Sequence, residues 1–271
     1  MCFKTDLGNK YFYINARVLG GSLLEGEAML TIEELKRYDR QIKVFGVEVQ
    51  TKLKRARVAI IGAGGLGSPA AYYLAAMGVG TIKIIDYDKV SLSNLNRQIL
   101  HWTNDIGRDK VLSAYEKLSN LNPHVKIIPI KEKVTRENAE ELLRDVDLCI
   151  DALDNWESKL LLNDVCVKYR KPLIHAGVRG TYGQMLLIIP GKTPCLRCFL
   201  TEDVMREEER LPVLGVTPGV LGTLQALEAV KLLTGYGKNI LNKLLIFDGY
   251  ELDFSYVEVK RNPQCSICGS I

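Results

Sequence analysis

The first feature of the sequence that could do chemistry is a turn built from glycines. Gly62, Gly64 and Gly67 match the pattern G-x-G-x-x-G and follow directly on an apolar run at 57–61. In such a turn the first glycine permits a tight bend, the second lets a phosphate approach the backbone, and the third lets helix and strand pack closely. Asp86 lies 19 residues after Gly67, where a carboxylate reaches ribose hydroxyls. The turn predicts a nucleotide site, although alone it fits an NAD-dependent dehydrogenase as well as an ATP-using enzyme.

A polar segment after Asp86 bears on the choice of nucleotide. Asn94, Arg97 and Gln98 lie close together in sequence, and Lys110 lies at the start of the next helical stretch. Two cations beside backbone N–H groups suit a triphosphate whose α-phosphate is attacked, whereas a dehydrogenase needs no such cluster. The segment therefore favours ATP.

An acidic segment, Asp151-Ala-Leu-Asp154-Asn155, ends another apolar run. Open α/β sheets bind ligands at the carboxyl ends of their strands, and carboxylate oxygens are ligands that Mg²⁺ prefers. We predict that Asp154 holds Mg²⁺. Taken singly, Asp154 and Asn155 are equally explained as helix N-caps, and Arg97 and Lys110 as exposed cations, so the prediction depends on their joint placement.

Two C-x-x-C pairs are separated by 66 residues. Four thiolates in tetrahedral geometry suit structural Zn²⁺, and such a closed site leaves no position for a catalytic water. The alternative is four buried or redox-active thiols without metal. The predicted zinc ligands are Cys195, Cys198, Cys265 and Cys268. Cys149 and Cys166 fall in apolar segments and are predicted to pack in the core.

Alternating strands and helices must position these residues. The predicted strands lie at 57–61, 81–86, 125–130, 147–153 and 172–176. The predicted helices lie after Thr31, up to about 77, at 109–121, 136–144, up to about 168 and at 221–233. This alternation predicts a Rossmann-like doubly wound α/β fold with a mainly parallel sheet. Segments at 182–189, 244–248 and 254–259 are predicted to extend it as antiparallel C-terminal strands.

The length of the chain predicts one domain over 29–271. Residues 1–28 have no sustained hydrophobic period and are predicted to be a loosely attached extension. The charged segment at 202–210 is predicted to be a loop that could close over a ligand. The chain has 271 residues and a net charge of +4, too little to imply bulk nucleic-acid binding. Its apolar runs are shorter than the roughly 20 residues of a membrane span. Because no secretory signal is recognisable, we predict a cytoplasmic protein.

Several motifs together resemble the MoeB/ThiF/HesA family of ubiquitin-activating-enzyme-like adenylyltransferases, with MoeB closest in motifs. They are RYDRQI at 37–42, GAGGLG at 62–67, DYDKVSLSNLNRQ at 86–98, the G-x-x-K of 107–110 and DALDN at 151–155. The resemblance covers residues 31–269 and includes the RNPxCxxCG ending. It implies ATP-dependent adenylation of the C-terminal glycine carboxylate of a small ubiquitin-like sulfur carrier with a Gly-Gly end. The products would be acyl-AMP and pyrophosphate, in a molybdopterin, thiamine or tRNA-thiolation pathway.

The same resemblance implies roles for individual residues. Asp86 would bind ribose, Asp154 would hold Mg²⁺, and Arg40 would reach into the ATP site of a partner subunit, which makes a homodimer obligatory. The catalytic set is Arg40, Arg97, Lys110 and Asp154. The residues implied to contact the nucleotide are Gly62, Gly64, Gly65, Gly67, Asp86, Asn94, Arg97, Gln98, Lys110, Asp154 and Asn155.

One departure from the family concerns sulfur. Some members have a cysteine in the crossover loop that bonds to the carrier, and none occurs between 199 and 264 here. The chain also ends three residues after Cys268. We therefore expect the enzyme to stop at the acyl-adenylate and a separate protein to donate sulfur.

Three alternatives remain from the sequence. They are an adenylating enzyme acting on a modified tRNA base, an NAD-dependent dehydrogenase, and a non-enzymatic adaptor. The histidines, at 101, 124 and 175, stand apart and are predicted to be structural.

Overall fold

A computed structural model describes residues 29–200 and 212–271. The predictions of a loose extension at 1–28 and of a closing loop at 202–210 lie outside these residues. The strands are β1 (Arg57–Ile61), β2 (Thr81–Ile85), β3 (Lys126–Ile130), β4 (Leu148–Asp151), β5 (Leu173–Arg179), β6 (Tyr182–Ile188), β7 (Lys243–Asp248) and β8 (Asp253–Glu258). The α-helices are α1 (Ile32–Arg37), α2 (Asp39–Phe45), α3 (Val47–Arg55), α4 (Gly67–Ala76), α5 (Lys110–Leu121), α6 (Ala139–Leu143), α7 (Trp156–Lys168) and α8 (Val216–Thr234).

The strands form one sheet in the order β3-β2-β1-β4-β5-β6-β7-β8. The first five in this order pair in parallel, and β6, β7 and β8 extend the sheet antiparallel. Ile61 at the end of β1 pairs with Ile85 on one side and Asp151 on the other. The sheet confirms the predicted mainly parallel α/β fold with antiparallel C-terminal strands. It also places the ends of three adjacent parallel strands where the strand order reverses, the position at which such sheets bind ligands.

The core lies on both faces of the sheet, as the apolar composition of β1 requires. Val58 and Ile60 point to the face covered by α4, α5 and α8, whereas Ala59 and Ile61 point to the face covered by α6 and α7. Side chains alternate between faces along a strand, so a strand buried on both faces is apolar throughout. Both faces are thus occupied by packing, and the strand ends remain for a ligand.

The structure refines three of the predicted helices. The capping box of Thr31 and Glu34 is present, but α1 is followed at once by α2 and α3, which the sequence analysis did not separate. Helix α8 begins at Val216 and not at 221, because Pro218 lies in its first turn, where no backbone N–H is needed. Helix α6 is confined to Ala139–Leu143, within the predicted 136–144.

Within the ranges 29–200 and 212–271, no helix is long and apolar enough to cross a membrane.

Candidate functional site

The glycine turn joins the end of β1 to α4 and leaves no room for side chains. Gly62 has φ of +103°, and a Cβ atom there would lie 2.5 Å from the carbonyl oxygen of Ala152. A Cβ atom on Gly67 would overlap the carbonyl oxygen of Gly62. Helix α4 begins at Gly67 without a side-chain N-cap hydrogen bond. In α4 itself the Ser68 N–H already donates to the Gly64 carbonyl oxygen at 2.9 Å, and Pro69 has no N–H. Among the described residues, the N–H groups of Gly64, Gly65 and Gly67 have no acceptor and are therefore available to an anion brought close by the tight turn.

Asp86 braces this turn, a contact that the sequence analysis did not foresee. Its buried carboxylate accepts hydrogen bonds from the Ala63 N–H at 2.7 Å and from the Asp88 N–H at 2.8 Å. Each carboxylate oxygen can accept more than one hydrogen bond, so the predicted bond to a ribose hydroxyl remains available.

Arg97 and Gln98 lie against the turn. The Gln98 amide nitrogen is 3.6 Å from the position of a Cβ on Gly64, and Arg97 Cγ is 3.5 Å from that on Gly65. Gln98 is 5% exposed, and its Oε1 has no hydrogen-bond partner among the described residues. Buried acceptors normally have a hydrogen-bond partner, so Gln98 Oε1 could accept a hydrogen bond from a ligand beside the turn, such as a sugar hydroxyl. Arg97 is half-buried and donates to the Ser93 carbonyl oxygen at 2.9 Å.

Asn94 has a local role. Its Oδ1 accepts a hydrogen bond from the Ser91 N–H at 3.0 Å, closing the short 3₁₀ turn that begins the polar segment. The structure therefore gives Asn94 a capping role, and among the described residues it forms no hydrogen bond with the glycine turn.

Lys110 lies at the first position of α5 with its side chain buried. Its Nζ donates to Asp88 Oδ2 at 2.9 Å, and the Asp88 side chain is 49% exposed. His101 lies beside the turn, because its Nε2 is 2.8 Å from the Ala63 carbonyl oxygen. Burial lowers the pKa of His101, and the nearby positive charge of Lys110 lowers it further. Lys110 is therefore also close to the turn. The pairing of Lys110 with Asp88 is a further contact that the sequence pattern did not reveal.

Asp154 and Asn155 follow β4 at the same edge of the sheet. Asn155 is the N-cap of α7, because its Oδ1 accepts from the Ser158 N–H at 2.9 Å. Asp154 is exposed and accepts from the Asn155 amide at 3.3 Å. The charge of Asp88, with burial and the charges of Asp154 and Asp86, raises the pKa of Tyr87. Three carboxylates thus lie around one tyrosine beside the turn, and that of Asp154 is exposed.

Asp151, the first residue of this acidic segment, has a different environment. It is fully buried, with Lys159 Nζ 3.1 Å and His175 Nδ1 2.6 Å from its carboxylate. Burial opposes its ionisation, but Lys159 and His175 outweigh burial and lower the pKa of Asp151. Asp151 therefore supports the strand end from inside the core.

Cys149 and Cys166 are fully buried, as predicted.

Arg40 is not brought to the turn of its own chain. It lies exposed on α2, whose neighbouring residue Gln41 donates to the Met77 carbonyl oxygen at 2.9 Å. Met77 follows the last residue of α4, a helix of 10 residues. Such a helix is about 15 Å long, so Arg40 lies near the end of α4 opposite to the glycine turn.

The four predicted zinc ligands come together on the face of the sheet covered by α7. Their sulfur atoms all lie within 4.8 Å of one another. The Cys195 and Cys265 sulfurs are 3.7 Å apart, and the Cys198 and Cys268 sulfurs are 3.3 Å apart. A tetrahedral zinc with bonds of about 2.3 Å requires sulfurs separated by about 3.8 Å. Four thiols at this spacing fit Zn²⁺ and lie on the opposite face of the sheet from α4.

Two residues of α7 hold the first cysteine pair. Asn163 Oδ1 accepts from the Leu196 N–H at 2.9 Å, and Asp164 Oδ2 accepts from Arg197 Nη2 at 3.0 Å. Asn163 and Asp164 had no signal in the sequence analysis, because polar residues in a helix give no indication of a partner 33 residues away.

The comparisons with known proteins agree with this geometry. The family model described as "ThiF family" matches residues 38–267. The chain is 41% identical over 250 residues to a sulfur carrier protein adenylyltransferase of Thermus thermophilus, covering 88% of this chain and 92% of that protein. It is 40% identical over 246 residues to the SAMP-activating enzyme E1 of Haloferax volcanii, covering 89% and 91%.

Among solved structures, E. coli MccB with ATP superposes with a TM-score of 0.76 at 27% identity, covering 86% of this chain and 74% of that chain. The range matched by the family model contains the glycine turn, the polar segment and the acidic segment at the edge of the sheet. The chain belongs to the ThiF family.

Proposed function

We propose that this protein adenylates the C-terminal glycine carboxylate of a ubiquitin-like sulfur carrier with ATP. The proposal rests chiefly on one observation. The glycine turn follows β1, Asp154 follows β4, and the Lys110 side chain reaches Asp88 just after β2, so all three lie at the edge where these adjacent strands end. The names of the Thermus and Haloferax relatives support a carrier protein as the second substrate.

The reaction would join the carrier to AMP. A carboxylate oxygen of the carrier's last glycine attacks the α-phosphorus of ATP. The new P–O bond makes a mixed acyl-phosphate anhydride, and the bond from the α-phosphorus to the oxygen that bridges to the β-phosphate breaks. Pyrophosphate leaves with the electron pair. The attacking carboxylate is already ionised at neutral pH, so no general base is required. This agrees with His101 and His175 being buried among structural partners.

Catalysis would come from positioning and charge neutralisation. The amides of the glycine turn and the side chains of Arg97 and Lys110 would contact the phosphates, and Gln98 and Asp86 the sugar. Arg97 is held against the turn by its bond to the Ser93 carbonyl oxygen. Lys110 would exchange its half-exposed partner Asp88 for a phosphate.

The cations fit the residues present. Mg²⁺ would be held by Asp154, whose carboxylate is exposed at the strand ends, and would offset phosphate charge. Zn²⁺ would be held by the four clustered cysteines and would stabilise the C-terminal part of the sheet. Burial raises the pKa of the Cys195 thiol, and a bound cation would reverse this preference for the protonated form.

A homodimer would complete the site. Arg40 lies at the far end of α4 from its own glycine turn, which supports a role in the site of a second copy. We further propose that a cytoplasmic sulfur donor, separate from this protein, converts the acyl-adenylate to a thiocarboxylate.

ATP–pyrophosphate exchange with purified Gly-Gly carriers tests the proposal. We expect exchange that requires both the carrier and its last glycine, and that falls at least a hundredfold, as for loss of an oxyanion donor, in Arg97→Ala. The matched control is Arg57→Ala, which removes the same charge at the opposite end of β1, where Arg57 pairs with Asp145. Exchange that is equal with a carrier lacking the last glycine would contradict the proposal, as would exchange driven by tRNA.

A further inference from the structure

His101 links the glycine turn to α5. The side chain is buried, with Nε2 2.8 Å from the Ala63 carbonyl oxygen and Nδ1 2.8 Å from Ser113 Oγ. A carbonyl oxygen only accepts hydrogen bonds, so Nε2 must be the protonated nitrogen. Burial lowers the pKa of His101, which keeps the ring neutral and leaves Nδ1 to accept the Ser113 hydroxyl hydrogen. One tautomer is thereby fixed.

Ser113 is itself fixed by a buried ion pair. Lys117 Nζ donates to Ser113 Oγ at 3.1 Å and also contacts Asp105, which is 2% exposed. An ammonium group only donates, so the Ser113 hydroxyl hydrogen is available to His101, with the Asp105 carboxylate as a second acceptor nearby. The orientation of the ring therefore depends on a chain of contacts that reaches back into α5.

The bond from His101 has a geometric consequence inside the glycine turn. The carbonyl of Ala63 and the N–H of Gly64 belong to one planar trans peptide unit and point in opposite directions. The other side of Ala63 is held as well, since its N–H donates to Asp86 at 2.7 Å. In the part of the chain that the structure describes, the Gly64 N–H has no acceptor.

We infer that His101 is a positioning residue that aims the Gly64 N–H at a phosphate of the bound nucleotide by holding the Ala63 carbonyl. This inference rests on the proposed function, because the phosphate belongs to ATP. His101 touches neither substrate in this arrangement. Its effect is confined to ligands that have a phosphate at the turn, and adenosine lacks one.

Two variants separate the hydrogen bond from the bulk of the ring. His101→Gln places an amide nitrogen near the position of Nε2 and can still donate to Ala63. His101→Met has a similar length and no donor. We measure the Kd for ATP and for adenosine by calorimetry, with Tm as a check on folding. We expect ATP binding to weaken about tenfold in the Met variant, about 1.4 kcal/mol, and to be largely restored in the Gln variant. Adenosine binding should be equal in all three proteins.

Unchanged ATP affinity in His101→Met would overturn the inference. So would an equal loss of ATP and adenosine, because that pattern reports general damage to the turn. If the Met variant does not fold, His101→Asn tests the same bond, because its shorter amide can lie near the position of Nδ1 and contact Ser113 but does not reach the Ala63 carbonyl oxygen. The same selective loss of ATP is expected. Wild-type protein that binds no ATP would refute the proposed function itself, and the inference with it.

Discussion

Replacing Lys110 by Met removes one positive charge from the nucleotide site and keeps the aliphatic part of the side chain. In the structure the Lys110 side chain is 6% exposed and its Nζ lies 2.9 Å from Asp88. The methionine stem fills the same buried space, so packing should be retained. Asp88, whose side chain is 49% exposed, can be hydrated once its partner is gone. The free energy of unfolding should therefore change by less than about 1 kcal/mol.

Catalysis should change far more than stability. A buried cation that neutralises charge in the transition state is worth about 2.7–4 kcal/mol, as for loss of one oxyanion donor. We therefore expect kcat/KM for carrier adenylation to fall about 10²–10³-fold in Lys110→Met. Because negative charge increases at the α-phosphate as the carboxylate attacks, most of the loss should appear in kcat.

The assay is initial-rate pyrophosphate release at saturating carrier, with urea unfolding in parallel. Lys131→Met is the matched control, because Lys131 Nζ also pairs with an aspartate, Asp109, at 3.0 Å, but its side chain is 52% exposed. The control should change kcat/KM less than about twofold, as expected for an exposed pair. A Lys110→Met enzyme with wild-type kcat, or one whose lost activity is matched by lost stability, would refute the assignment of Lys110 to the phosphates.

Three further predictions concern subunits, metal and pH. Mixing and refolding Arg40→Ala with Lys110→Met should restore pyrophosphate release through mixed dimers with one intact site, and no recovery would contradict action of Arg40 across subunits. Cys265→Ser should lower both the zinc content by elemental analysis and the Tm; normal zinc with lower Tm would assign the metal elsewhere. Stability should fall in acid, because the folded pKa of both His175 and Asp151 is lowered. On unfolding, histidine gains a proton below about pH 6.5 and aspartate below about pH 3.9. The free energy of unfolding, measured by urea titration, should therefore drop as the pH falls through each of these values. A rise between pH 7 and 5 would contradict this.

The fold was predictable because its signals are local and repeated. Runs such as 57–61 are apolar throughout, and each is followed by a turn and a helical pattern, which together specify a parallel sheet. The beginning of α8 was predicted too late because Pro218 was taken as part of a loop, although a proline fits the first turn of a helix.

The shared position of several predicted site residues at one edge of the sheet could be predicted, and their contacts could not. Gly62, Asp86 and Asp154 follow three strands, so their common edge followed from the parallel order. The partners of these residues did not, because the choice of Asp88 for Lys110 depends on distances that sequence spacing does not fix. For the same reason His101 was predicted to be structural, and its bond to the turn was found only in three dimensions.

The most direct test of the proposed nucleotide site is the structure of this protein with Mg²⁺ and an ATP analogue that is not cleaved between the α- and β-phosphates. We expect phosphate oxygens within hydrogen-bond distance of the Gly64 or Gly65 amide and of Lys110 Nζ, with the metal on Asp154. A nucleotide bound elsewhere, or phosphates that contact neither the turn nor Lys110, would contradict it.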